Sequence, residues 1–320
     1  MHHLGYGDVL RVNYDDAEAH GSMKIDVSDP EIAIQYRDRK FCLGDLKAVW
    51  YRKGSGWLAG ARREVSLPAH QKLSDQLNDK LAAESAKLSE YLHYRIEKVA
   101  PCLGSPTKCD LNKLIVLDAA RQAGFLTPSF IVSNNRVGVH NGLREISDAI
   151  TKPISDGVYL FDKSSGARGY FSYTERLGND IGQIDEPAPP SFIQRRIQKS
   201  FDLRVFYLAG ACYAMAILSQ TDEQTKTDLR KYNEAKPNRA IPFAIPQEVE
   251  GKLGRLFATL GLNTGSVDLI LGQDGCYYFL EINPVGQFGM VSSPCNFHLE
   301  QVVALRLMRM ATEGKPHERR

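Results

Sequence analysis

Val267-Asp268-Leu269-Ile270-Leu271, the step Asp274-Gly275, and Cys276-Tyr277-Tyr278-Phe279-Leu280-Glu281-Ile282-Asn283 together decide the fold. Both runs are rich in β-branched and aromatic residues, and an Asp-Gly step between such runs is a strong signal for a two-residue hairpin turn. With Asp274-Gly275 as the turn, Gln273 faces Cys276. The same register carries Asp268 directly opposite Glu281, with Asn283 two residues on and on the same face. Directly opposed side chains have Cβ atoms roughly 5 Å apart, so like charges there repel unless something compensates. A cation is the simplest compensation. Two carboxylates and an amide oxygen form a hard, all-oxygen donor set, which suits Mg²⁺ with retained waters and substrate phosphates better than it suits zinc. The alternative is that both acids lie on a solvated face.

A chain of 320 residues exceeds what one hydrophobic core usually serves, so two or three packed units are expected. With 43% hydrophobic and 24% charged residues the composition is that of a soluble globular protein, and a net charge of +2 gives no reason to make nucleic acid the main ligand. The six cysteines, Cys42, Cys102, Cys109, Cys212, Cys276 and Cys295, include no C-x-x-C pair, which fits a reducing cytoplasm. Cys295 and His298 could be half of a zinc site, but no second half has suitable spacing, and packing is the better reading. No export signal is visible. The longest uncharged segment, Val205 to Thr221, falls short of the roughly 20 residues a membrane helix needs, so no membrane partner is expected.

Pattern and punctuation divide the chain into an N-terminal α/β unit (1–104), a central unit (105–188), a C-terminal unit (189–312) and a disordered tail (313–320). Leu73, Leu77, Leu81, Leu88, Leu92 and Ile96 recur at three- and four-residue steps, predicting a long amphipathic helix from Ala69 to about Val99. That helix could serve a homodimer but more readily covers its own sheet. Asp110 is the expected N-cap of the next helix, with Leu111, Leu114, Ile115 and Leu117 as its buried stripe and Gly124 as its stop. The Ser/Gly segment Ser164 to Gly169 is an expected lid, and the acidic, proline-rich run Asp185 to Pro190 an expected linker. Ser191-Phe192-Ile193-Gln194 and the two strands around Ala209-Gly210 carry a dense β signal, and Pro246 opens a helix that stops at Gly261.

Several cations recur around these elements. Lys113 falls in the first turn of a helix, where a cation opposes the dipole unless an anion such as a phosphate offsets it; the alternative is a surface lysine. Lys152 ends an apolar strand, and a buried lysine wants an anion, though a snorkelling edge residue has the same pattern. Arg195, Arg196 and Lys199 follow one strand, Arg204 lies inside another, and Arg230-Lys231 follows Thr227-Asp228. An arginine within Leu203-Arg204-Val205 either faces solvent or points into a polar cleft, because guanidinium does not shed its charge. An acidic, metal-suited hairpin ringed by lysines and arginines from three segments describes a site for a nucleoside triphosphate and Mg²⁺. No G-x-x-x-x-G-K-[ST] loop, dinucleotide fingerprint, G-x-S-x-G elbow or H-E-x-x-H helix is present.

The order Lys113, Lys152, Phe192-Ile193-Gln194-Arg195-Arg196-Ile197, Asp202-Leu203-Arg204-Val205, Thr227-Asp228-Leu229-Arg230, Asp268 and Glu281-Ile282-Asn283-Pro284 resembles an ATP-grasp ligase. Within that superfamily, Leu262 to Asp268, Phe279 to Phe288 and Val49-Trp50-Tyr51-Arg52-Lys53 resemble the microviridin-type peptide maturases, or graspetide synthetases. The most similar subgroup is the one paired with a radical SAM/SPASM protein. The resemblance spans about residues 48 to 310 and implies an α/β (α+β) ATP-grasp fold behind an N-terminal pre-ATP-grasp domain. It implies that Lys113 and Lys152 contact ATP phosphates, and that the segment Gln194, Arg195, Arg196 and Ile197 holds adenine through backbone groups. It further implies that Asp268, Glu281 and Asn283 bind Mg²⁺ and that Arg204 and Arg230 act on the transferred phosphoryl group. Two departures stand out: ATP-grasp proteins usually carry a glutamate at the position of Arg195 and commonly a second acid at that of Gln198, which puts side-chain contacts to ribose in question.

The activity this implies is ATP-dependent activation of an Asp or Glu side chain of a ribosomally made precursor peptide, leader plus core, followed by ester or amide closure with Ser, Thr or Lys. Two rival readings are a carboxylate–amine ligase acting on a small molecule or a protein C-terminus, and a non-catalytic nucleotide-dependent peptide-binding module. Fold alone does not choose among them.

Overall fold

The computed structural model describes residues 5, 8–12, 22–24, 32–36, 39–52, 65–155, 157, 159–162, 168–171, 174–178, 188–221 and 238–314. Arg230 and its flanking 227–229, most of the Ser/Gly segment (164–167), part of the proline-rich run (185–187) and residues 315–320 lie outside them. Along the described residues, β1 (Ser22–Lys24), β2 (Ala33–Tyr36), β3 (Arg39–Cys42) and β4 (Val49–Trp50) precede α1 (Gln71–Val99). Next come β5 (Cys102–Leu103), α2 (Lys113–Gln122), β6 (Phe130–Ser133), α3 (Arg136–Glu145), β7 (Ala149–Thr151), β8 (Tyr159–Asp162), β9 (Arg168–Phe171) and β10 (Glu175–Arg176). Last are β11 (Ser191–Arg195), β12 (Lys199–Leu208), β13 (Ala211–Ile217), β14 (Ala240–Phe243), α4 (Gln247–Leu260), β15 (Thr264–Gly272), β16 (Tyr277–Asn283), α5 (Gly289–Cys295) and α6 (Leu299–Glu313). No helix of the described residues is long and apolar enough to cross a membrane.

The chain separates into two units, 1–110 with 298–320 and 111–297. In the first, β1-β2-β3 form an antiparallel sheet and β4 pairs with β5 in parallel. Ile32, Ile34, Leu43, Leu92 and Ile96 make a small core there. The long helix forms as expected, but its leucine stripe is not uniformly buried: Leu73 is 53% and Leu81 42% exposed, while Leu92 and Ile96 are buried. Only the C-terminal half of α1 has an apolar partner among the described residues, so a continuous sequence stripe meets a shorter core.

The second unit holds two sheets, β10-β7-β11-β6 and β14-β13-β12-β15-β16, around a core that includes Leu117, Phe192, Val205, Leu253, Leu256, Phe257, Val267 and Phe279. β11 pairs with β6 and β7, and three residues later the chain enters β12 of the other sheet. The β12–β13 hairpin turns at Ala209-Gly210 with both φ positive (47° and 101°), the mirror-image turn that matches strand twist. α4 follows Pro246 and ends at Gly261 in the left-handed conformation (φ 62°), as the sequence predicts.

Two local expectations are corrected. The cap of α2 is Asn112, not Asp110: its side chain accepts hydrogen bonds from Leu114 N (2.9 Å) and Ile115 N (3.3 Å). The buried face is Val116, Leu117, Ala119 and Ala120, with Leu111 and Leu114 packed against the same core and Ile115 63% exposed, so Ile115 does not belong to the stripe. The β15–β16 turn also differs. Gly272 N donates to Cys276 O (2.9 Å) and Gly275 N to Gly272 O (3.0 Å), so the loop has three residues, Gln273-Asp274-Gly275, with Gly275 left-handed (φ 79°). That shifts the register by one, and an irregularity between Asp268 and Leu269 shifts it back, so that Asp268 opposes Glu281 and Ser266 opposes Asn283.

Candidate functional site

Asp268 sits in the middle of β15, between Arg204 on β12 and Glu281 on β16, each directly opposite in register. Arg204 donates from Nε to Asp268 Oδ1 (2.7 Å) and from Nη2 to Oδ2 (2.9 Å), a bidentate pair with both side chains about one-fifth exposed. Its Nη1 reaches Met290 Sδ at 2.7 Å. Arg204 therefore turns onto Asp268 and Met290 and not to solvent, and it supplies one compensation for the opposed acids, for which a cation is the simplest expectation from sequence. Burial nonetheless pushes the Asp268 carboxyl above the usual carboxylate range, with Arg204 pulling it down and Glu281 adding to the rise.

Among the described residues no group of three or more His, Cys, Asp or Glu side chains is placed to hold a metal ion. The oxygen set at the hairpin is smaller, two acids and an amide, and its fit to Mg²⁺ turns on how many lone pairs remain. Asp268 accepts one hydrogen bond at each oxygen, leaving further acceptor positions. No hydrogen bond or ion pair engages the half-buried Glu281 carboxylate among the described residues. Asn283 is exposed, with its Oδ1 accepting from Val285 N (3.1 Å). Two partly uncommitted carboxylates and an exposed amide oxygen on one face fit a hard cation that keeps several waters.

Lys113 and Lys152 are brought together although 39 positions separate them in sequence. Lys113 Nζ donates to the carbonyl oxygen of Pro153 (2.5 Å), the residue after Lys152, and Lys152 Nζ lies 5.9 Å from the centroid of the Phe192 ring. Phe192 stacks in turn on Phe130 (centroids 5.0 Å), so the ammonium of Lys152 rests against an aromatic pair.

The segment expected to hold adenine leaves β11. Arg195 N donates to Ser129 O and Arg196 N to Asp148 O, both at 2.9 Å. Among the described residues nothing accepts from Ile197 N. Gln194 is buried and its Nε2 has no hydrogen-bond partner among the described residues, a donor of the kind that a ligand satisfies. The Arg195 side chain is exposed.

Two features carried no recognisable sequence signal. Lys199 and Asp202 form a buried ion pair (2.9 and 2.7 Å), with Ser219 Oγ donating to Asp202 Oδ2 at 2.5 Å. In a regular strand residues three apart point to opposite faces; the irregularity between Lys199 and Phe201 brings them to one side. Asp148, at φ 57°, binds Arg196, Arg176 and Gln198 at once. A left-handed backbone costs a non-glycine residue roughly 1–2 kcal/mol, least for Asp and Asn.

No family model matches the chain. The structure is similar to that of a Chryseobacterium gregarium RiPP-associated ATP-grasp ligase in complex with ADP and a leader and core peptide: 22% identity, 97% of this chain and 90% of that one covered, TM-score 0.73. It is also similar to the macrocyclase MdnC of Microcystis aeruginosa MRC bound with precursor peptide MdnA, at 22% identity, 91% and 87% coverage and TM-score 0.69. The ATP-grasp ligase PsnB complexed with minimal precursor, Mg and ADP gives 19%, 91% and 85%, and 0.65. At these identities the likeness establishes the fold, which is the ATP-grasp fold.

Proposed function

We propose that the chain is an ATP-dependent ligase that activates an Asp or Glu side chain of a ribosomally made precursor peptide and closes an ester or amide ring. The observation that carries this is Asp268, set between the bidentate Arg204 and the uncommitted Glu281 in an ATP-grasp fold. Solved proteins of the same architecture are described with ADP and with leader, core or precursor peptides, which supports the peptide as acceptor.

Lys113 and Lys152 would hold the nucleotide phosphates, and Ile197 N and the Arg195 carbonyl the adenine edge. Asp268, Glu281 and Asn283 would hold Mg²⁺, which supplies charge neutralisation to the phosphates when bound. The peptide carboxylate oxygen attacks the γ-phosphorus, the bond to the β–γ bridging oxygen breaks, and ADP leaves. A Ser or Thr hydroxyl or a Lys amine then attacks the acyl carbon, loses its proton and expels inorganic phosphate. Arg204 stays charged throughout and, held on Asp268 beside Glu281, would stabilise negative charge on the transferring group. Arg230 is assigned the same work from sequence resemblance alone. A radical SAM/SPASM partner rests on the sequence motifs, and a homodimer on the exposed half of α1.

The test is to incubate the protein with ATP, Mg²⁺ and the peptide encoded beside it, and to follow peptide mass and ADP. Loss of one water per ring with matching ADP supports the reading. ADP formation with an unchanged peptide points to another acceptor, and no ATP consumption removes the enzyme.

A further inference from the structure

We infer that Asp148 is a positioning residue for the adenine end of the nucleotide site, doing from a neighbouring strand what no acid within 194–198 can do. This rests on the nucleotide reading above. The segment between β11 and β12, Arg196-Ile197-Gln198, and the last two residues of β11, Gln194 and Arg195, carry no carboxylate. Of the three linking residues, Gln198 is tied at its carbonyl oxygen by Gln273 N (2.8 Å), and Arg196 needs a hold on the other side of Ile197. Asp148, immediately before β7, supplies that hold. Arg196 donates from Nε to both of its oxygens (3.0 and 2.9 Å), its Nη2 lies 2.7 Å from Oδ2 in the same ion pair, and Gln198 Nε2 donates to Oδ2 (2.9 Å). Arg176 of β10 adds its Nε at 3.0 Å.

The backbone closes the same knot: Asp148 O accepts from Arg196 N, and Ala149 O accepts from Leu177 N. One carboxylate thus gathers both sides of Ile197, the residue whose N–H is left unengaged among the described residues. Arg196 and Asp148 are mostly enclosed, at 14% and 23% side-chain exposure, so solvent does little to loosen their pairing. The guanidinium of Arg196 is the largest cause holding the Asp148 carboxyl below the usual carboxylate range, so it is ionised at neutral pH. Without it, Arg196 and Arg176 would face each other uncompensated, and the Arg196 side of Ile197 would lose its side-chain anchor, leaving only main-chain bonds to fix the geometry that presents the Ile197 N–H.

The experiment measures Mg²⁺-supported binding of ADP and of inorganic tripolyphosphate to the full chain and to D148N, with melting temperature read in parallel. D148N keeps the shape and the tolerance for positive φ and removes the charge. The expected result is ADP affinity weakened about tenfold with tripolyphosphate affinity within about twofold of the parent, because only the base end loses its support. A general loss of structure would weaken both ligands alike. R196K, which keeps a cation but not the fork, is expected to weaken ADP in the same direction, and the double variant no further than the stronger single one. Parental ADP affinity in a folded D148N, or in R196K should D148N not fold, overturns the inference while leaving the nucleotide site standing. Failure of the unaltered chain to bind ADP overturns both.

Discussion

Arg204 grips both carboxylate oxygens of Asp268 across the β12–β15 pair, while Glu281 faces the same acid from β16. One acid therefore answers to a fixed cation on one side and a second carboxylate on the other. Replacing Arg204 with Met keeps the stem and removes the charge. Turnover should fall by about 10²–10³, the usual cost of losing one aimed donor to a transferring group. Stability should fall by about 2 kcal/mol, because Asp268 is left without its partner. Adding D268N to R204M should restore stability and not activity; recovery of ring formation in the double variant would contradict the role given to Arg204.

Glu281 separates the needs of folding from those of catalysis. Its only described register partner on β15 is another acid, so E281Q removes a like-charge opposition worth roughly 0.5 kcal/mol. The variant should melt at or above the parental temperature while losing Mg²⁺-dependent ADP binding in calorimetry. A stable E281Q that binds Mg²⁺ and ADP unchanged would remove Glu281 from the metal set.

Gly286 is required by space. A Cβ there would fall onto Ser266 Oγ and come within 2.8 Å of Ser266 N, on the strand that carries Asp268. G286A should destabilise the protein by about 1–3 kcal/mol in denaturant unfolding. S266G in the same chain should recover part of that loss, and failure to do so would place the clash elsewhere.

His93 gives the first unit a pH dependence. It is buried, its Nε2 lacks a partner among the described residues, and its ring lies edge-on to Tyr51 (5.6 Å). Burial holds its pKa below the ordinary value, against a smaller upward pull from Glu97. The unfolded chain then binds the proton more readily than the folded one. Stability should be complete above about pH 6.5, decline as pH falls below that, and level off below the folded pKa. H93L should flatten this slope between about pH 7 and pH 5 in urea midpoints, whatever its absolute stability; an unchanged slope would assign the titration to another group.

Much of this fold was legible because local chemistry and global packing agree. Ala209-Gly210, Gly261 and the apolar runs of β12, β13 and β15 read directly. The Asp268–Glu281 pairing was legible for an incomplete reason: the turn holds one more residue than Asp-Gly alone implies, and a bulge beyond it restores the count. Burial along α1 could not be read, since periodicity reports a face and not what covers it. The Lys199–Asp202 pair depends on a strand irregularity, and Asp148 meets Arg196 across 48 positions. Neither a distant partner nor a bulge leaves a periodic trace. Lys113 and Lys152 were legible as anion seekers, but their meeting at Pro153 needed the fold.

The passage from β11 into β12 spans only residues 196–198, yet it joins two separate sheets. At no more than ~3.5 Å per residue the tether has almost no slack, so the ends of β11 and β12 are obliged to stay close together. A nucleotide gripped at this strap would have its base end at the point where the two sheets are obliged to meet, which is where its position is most closely fixed by the chain itself.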